Sequence, residues 1–347
     1  MALMSHRPAP LSAKERQQRR RLLSMTFLTC LVLVMIGSTI HVVMLGRLRL
    51  GDMRKLATYD LTEERNRVRA AGEDIVLHRV HEASLAASNG YSVVEAQRLL
   101  SREQWEDLDT MMPIPAGEFL MGTDLERADA QDKPQHKATL PAFFLDKYLT
   151  TNAQYARFVA ATNRRPPGNW KYGRIPQGEM MNPVTMVEWN DAADYCKWMG
   201  KRLPHETEME KAGRGPDGRR WPWGNKMDPS RLNTYYNVGS SSRVMAYPQG
   251  ASVYGVYDLS GNVAEWTADD LLPYEGSKAS DFHAGNAAAA GGQPSQGKNY
   301  KVLRGGSWKG DPFSTSLYHR DYAYPNQATD FYGFRCASSV DLKRAQT

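Results

Sequence analysis

The chain has 347 residues, 41% of them hydrophobic, with 8 Trp and 17 Tyr, a content that supports a substantial core and excludes global disorder. Its net charge of +6 does not describe a nucleic-acid face, because the excess base sits at one end. Residues 1–21 carry six Lys or Arg against one acid, Glu15, and the remainder is nearly balanced.

From Leu22 to Gly46 no Lys, Arg, Asp or Glu interrupts a run of Leu, Val, Met, Ile and Thr. As a helix it spans about 37 Å, enough to cross a hydrocarbon core of about 30 Å. The preceding basic cluster is expected to stay in the cytoplasm, placing everything after Gly46 outside. The rival reading, a cleaved signal peptide, has no small-x-small cleavage site to support it. Residues 47–111 are charged and helix-forming, with one helix starting near Thr62 and a second from Val93 to Leu108; they are expected to form a helical neck that packs on the main domain or meets a partner helix. His78 and His81 lie three apart there, with no third metal ligand in spacing.

Pro113-Ile114-Pro115 closes the neck, and a domain over 112–340 is expected to follow, with 341–347 as a tail. Strand-like patches, Gly turns and short helices alternate within it. Its clearest helix runs from Trp189 to Met199, with Ala192, Ala193, Cys196 and Trp198 facing inward. Residues 276–298, rich in Gly, Ser, Ala, Asn and Gln, read as a surface loop. Cys196 and Cys336 can pair in an oxidising compartment, or stand as two separate buried thiols. Arg202 and Arg335 are expected to be paired structural cations.

A series of ordered blocks carries more. They include Ile114-Pro115-Ala116-Gly117-Glu118-Phe119, Asp132…Pro134…His136, Thr151-Asn152-Ala153-Gln154-Tyr155 and Asn182-Pro183-Val184. Further on come Lys201-Arg202-Leu203-Pro204, Trp221-Pro222-Trp223-Gly224-Asn225, Gly261-Asn262-Val263-Ala264-Glu265-Trp266, Arg304-Gly305-Gly306-Ser307-Trp308 and Gly333-Phe334-Arg335-Cys336-Ala337. In this order they resemble the formylglycine-generating enzyme family, also called the sulfatase-modifying factor domain, over about 225 residues from Ile114 to Ala337.

That resemblance implies an α+β, irregular, C-type-lectin-like fold and a disulfide between Cys196 and Cys336. It also implies a calcium site at the turn 258–265, with carboxylates from Asp258 and Glu265 and carbonyls from Gly261 and Val263; oxygen-rich coordination is what calcium requires. A second calcium site would use Asn233 and the Thr234 carbonyl, but its acidic partner is missing. Family members that make formylglycine hold copper with two cysteines five residues apart, and Cu(I) prefers thiolates. Here Gly310 and Thr315 stand in those places, so no copper and no formylglycine-generating activity are expected. Ala264, Met209 and Leu149 also depart from residues common in the family. His319 and Asp311 could bind another metal, though two residues in a loop make a weak case.

The expected protein is therefore a membrane-anchored, noncatalytic binding or scaffold subunit. It would sit in a bacterial inner membrane, N-terminus cytoplasmic and main domain periplasmic, with protein partners in an envelope redox or respiratory complex and no nucleic acid. The alternatives are a periplasmic oxidase of other chemistry on the same fold, and a lectin-like ligand-binding protein.

Overall fold

The computed structural model describes residues 90–277 and 300–342. The expected membrane helix 22–46, most of the neck including His78 and His81, most of the 276–298 loop and most of the C-terminal tail lie outside the described residues. Among the described residues no helix is long and apolar enough to cross a membrane.

The first described elements correct the domain boundary expected at 112. Strand β1 (Gly90–Tyr91) pairs antiparallel with β6 (Ile175–Pro176). Two helices follow, α1 (Val93–Leu99) and α2 (Arg102–Leu108), where a single one was expected. Each has its own capping box: Ser92 with Glu95, then Ser101 with Gln104. The second box stops the first helix, with Leu100 extended between them. Both helices belong to the globular domain. Ala96 and Leu108 are buried in its core, and Asp107 binds Lys147 (2.6 Å) and the Tyr148 hydroxyl (3.0 Å). Asp109 accepts from Gln154 and Arg157, whose guanidinium also lies over the Trp105 ring.

The sheets are small. Strand β5 (Phe143–Asp146) lies between β2 (Met111–Ile114) and β11 (Ala337–Ser338), antiparallel to both. β3 (Gly117–Met121) pairs with β4 (His136–Leu140). The largest sheet has the order β10 (Tyr332–Gly333), β7 (Ala264–Asp270), β8 (Lys301–Arg304), β9 (Arg320–Ala323). Around these pack α3 (Asn152–Thr162), α4 (Trp189–Trp198) and α5 (Glu206–Arg214).

Helix α4 lies where the sequence pattern puts it, but it buries Ala192, Tyr195 and Cys196, and Trp198 at its end is half-exposed. Tyr195 stacks on Tyr155 and meets Phe158 and Phe334 edge-on, an aromatic cluster suited to a fold with little sheet. The disulfide Cys196–Cys336 ties α4 to the residue before β11, with Cα atoms 5.6 Å apart and both residues fully buried.

Buried arginines replace much of the missing sheet bonding. Arg335 forms a two-pronged pair with Glu265 and also donates to the carbonyls of Asp146 and Tyr257. Arg304 binds Glu210 and the carbonyls of Leu317, Tyr318 and His319. Arg320 pairs with Glu206 and reaches the Gln131 carbonyl. Loop carbonyls buried without a ladder need donors, and a guanidinium offers five on one planar group. Arg202 is likewise paired, through both nitrogens to Glu208.

Candidate functional site

The segment after β8 positions the candidate site. Gly305 and Gly306 take positive φ (+90° and +66°), and a Cβ on Gly306 would stand 2.7 Å from the Ser314 carbonyl oxygen. Only glycine turns the chain here, and the turn lets Trp308 N–H donate to the Asn262 carbonyl at 2.9 Å. The Trp308 indole donates to the Asp330 carbonyl, while Lys309 binds the Asp330 carboxylate (2.7 Å) and lies over the Trp308 and Phe331 rings.

Above Trp308 sit Tyr235 and Tyr236, both with left-handed backbone (φ 50° and 59°) and 68% and 60% exposed. Their N–H groups donate to the carbonyls of Gly310 and Trp308, and the Tyr236 ring meets Trp308 edge-on at 5.4 Å. Two successive non-glycine residues in this conformation cost about 1–2 kcal/mol each. The expense holds two large aromatic rings out to solvent. Sequence reasoning missed this shelf, because nothing in the Thr234–Asn237 stretch marks its backbone as left-handed.

Gly310 and Thr315 are both bonded into the surrounding loops. The Gly310 carbonyl accepts from Tyr235 N–H and from the Thr234 hydroxyl (2.8 Å). A Cβ on Gly310 would fall 2.4 Å from Ser314 Oγ. Thr315 is fully buried, donating to the Pro312 carbonyl (2.8 Å) and accepting from the Trp221 indole (3.3 Å).

The expected calcium turn is built, but its members differ in availability. Asp258 is buried with φ 55°, and its Oδ2 has no hydrogen-bond partner. Burial pushes its carboxyl up to about 6, against the pull of Arg335 and of hydrogen bonds from Met245 and Asn262. Glu265 accepts from Arg335 through both oxygens (2.6 and 2.9 Å), and burial pushes it up to about 7 against that pairing. Asn233 lies beside the turn, its carbonyl accepting from Asn262 N–H and its Oδ1 buried without a partner. Gly261, with φ +80°, passes too close to the Asn233 carbonyl for any side chain (2.4 Å to an added Cβ). The Thr234 side chain is spent on Gly310.

Asp311 and His319 are not brought together as a ligand pair. Asp311 accepts from the N–H groups of Phe313 and Ser314, whereas His319 Nδ1 faces Asp132.

Comparisons with known proteins follow the same geometry. The sulfatase-modifying factor enzyme 1-like domain matches residues 96–340, and the chain belongs to that family. It is 34% identical over 292 residues to the serine/threonine-protein kinase Pkn1 of Chlamydia trachomatis, a match covering 75% of this chain and 45% of that protein. The chain thus spans less than half the length of the chlamydial relatives it matches. It is 31% identical over 288 residues to the inactive C-alpha-formylglycine-generating enzyme 2 of Mus musculus, covering 66% of this chain and 86% of that one. Among solved structures, PvdO from Pseudomonas aeruginosa is similar with a TM-score of 0.54 and 27% identity, over 68% of this chain and 96% of that one.

Proposed function

We propose that the chain is a noncatalytic binding subunit of the sulfatase-modifying factor family, anchored through residues 22–46 with its domain on the periplasmic side of a bacterial inner membrane. The observation that carries this reading is the fate of Gly310 and Thr315. Neither bears sulfur, both are bonded into the loop frame, and the surface beside Gly310 presents Tyr235 and Tyr236, the latter backed by the buried Trp308. The strained backbone holds Tyr235 and Tyr236 out to solvent, where two exposed aromatic rings can bind a partner. Similarity to a relative named as inactive supports the same direction. The partner is a protein of an envelope redox or respiratory complex.

Two measurements test the proposal. The full-length protein, supplied with Cu(I), oxygen and a cysteine-containing sulfatase peptide, is expected to give no aldehyde; an aldehyde product would end the noncatalytic reading. Purification from membranes in mild detergent is expected to retain a stoichiometric subunit that Tyr236→Ala releases. A lone monomer, or a partner indifferent to Tyr236, points instead to an oxidase of other chemistry or to lectin-like capture of a free ligand.

Calcium at the turn 258–265 belongs to the same proposal, with a changed donor set. The unpartnered Asp258 Oδ2 suits a hard cation, and the Gly261 and Val263 carbonyls belong to the same turn. Glu265 suits it poorly, since Arg335 already occupies both its oxygens. Asn233 Oδ1 is the better second side-chain donor. Bound calcium would supply a fixed charge that closes the turn against the 233–242 segment.

A further inference from the structure

We propose that Asp129, Asp132 and His319 form a site for a divalent cation of borderline hardness, for which Zn(II) is the probe. The three residues come from segments nearly 190 positions apart, yet one donor atom of each lies within 4.8 Å of the others. His319 Nδ1 stands 3.1 Å from Asp132 Oδ2 and 3.9 Å from Asp129 Oδ2. Ligands about 2.0–2.2 Å from a tetrahedral ion are spaced about 3.3–3.6 Å from one another. The imidazole is within a few tenths of an ångström of that spacing from both acids, and the widest donor separation, up to 4.8 Å, must close by about an ångström around an ion.

Its inner half is fixed. Asp132 is fully buried, and its Oδ1 accepts from Arg320 N–H (2.9 Å), which turns Oδ2 toward the imidazole. His319 is held at its backbone by Ser316 and Arg304, and its ring faces Phe313 edge-on. The Arg320 guanidinium is committed to Glu206 through two hydrogen bonds. Two carboxyls and one imidazole make an oxygen-rich donor set with one nitrogen, a chemistry that suits Zn(II) or Mn(II) better than Cu(I).

The outer half is open. Asp129 is half-exposed and gives an ion its way in, and three protein ligands leave at least one coordination position for water or an anionic ligand. The competing occupant is a proton. His319 is shifted toward its charged form by Asp132 despite its burial, so a bare Asp132–His319 ion pair would fill the same space.

Zinc titration of the chelator-stripped full-length protein, with calcium present to occupy the 258–265 turn, separates the two. The expected result is one Zn(II) per chain in the wild type, weakened about tenfold or more by Asp129→Asn and by His319→Gln. Asp258→Asn is expected to leave zinc binding unchanged. Asp129 is at the surface, so its variant folds even if the His319 variant does not. Wild-type protein that takes up no zinc, or zinc retained at full affinity in Asp129→Asn, would overturn the proposal; the second result would place the ion on other histidines of the chain. These readouts are independent of partner binding at the aromatic shelf.

Discussion

Asp258 carries the sharpest residue-scale consequence. Its folded-state carboxyl is pushed up to about 6, above the ordinary value near 4, so the folded protein holds that proton more tightly than the unfolded chain. Stability should then fall as pH rises from about 4 through about 6, by up to about 3 kcal/mol in total. Asp258→Asn removes the penalty. In calcium-free buffer, denaturant titrations should show the variant about 2–3 kcal/mol more stable than wild type at pH 8 and equal to it near pH 4. Calcium should reverse the order by stabilising only the wild type. A variant less stable at pH 8 in calcium-free buffer would mean that the buried charge is not costly. Glu265 behaves differently because Arg335 holds both its oxygens, and Glu265→Gln strands a buried guanidinium. A loss of about 3–5 kcal/mol is expected in the same titration at pH 8, where the carboxylate is charged. The sequence could name Glu265 as an acid in the turn, but not that its charge is spent on Arg335 seventy positions away.

At the scale of elements, local signals were legible and long-range ones were not. Helix α4 follows from the spacing of Ala192, Ala193 and Cys196, although the inward aromatic is Tyr195 and not the expected Trp198. The pair α1–α2 was read as one helix, although Ser101-x-x-Gln104 is itself the signature of a new helix start. Ser101→Ala should cost about 1 kcal/mol, measurable as a shift in the thermal midpoint. Of the two courses open to these helices, packing on the main domain or meeting a partner helix, they take the first. An amphipathic stripe shows that a face is buried, not against what, and here Ala96 and Leu108 bury against the protein's own core. A chain shortened to begin at residue 112 should therefore be protease-sensitive, whereas one beginning at 90 should remain resistant under limited proteolysis. Equal resistance of the two would restore the neck. The Tyr235–Tyr236 shelf escaped the sequence for want of any local code, since neither tyrosine favours positive φ. Asp129, Asp132 and His319 escaped because only the packing of the 123–132 loop against the start of β9 brings them together.

For the whole molecule, the family blocks gave the architecture and the disulfide, because glycine turns, paired arginines and cysteines sit at fixed places in the chain order. The disulfide closes a loop of 140 residues, worth about 5 kcal/mol in the chain-entropy estimate. Reduction under native conditions should lower the denaturation midpoint markedly while leaving Arg335–Glu265 to hold the C-terminal segment in place. A reduced protein with an unchanged midpoint would show that the unfolded chain is already compact.

The three-stranded sheet has a consequence in time. β5 lies between β2, some thirty residues before it, and β11, whose neighbour Cys336 bonds Asp146 across 190 positions. At roughly 5–20 residues per second of synthesis, the strand waits about ten to forty seconds for its second neighbour. Throughout that interval the nascent chain presents a hydrophobic edge, Phe143-Phe144-Leu145, open to pairing with any other strand. In the finished domain both sides of the strand are paired, so the hazard belongs to its making: whatever machinery delivers this chain must keep one short strand covered until β11 arrives.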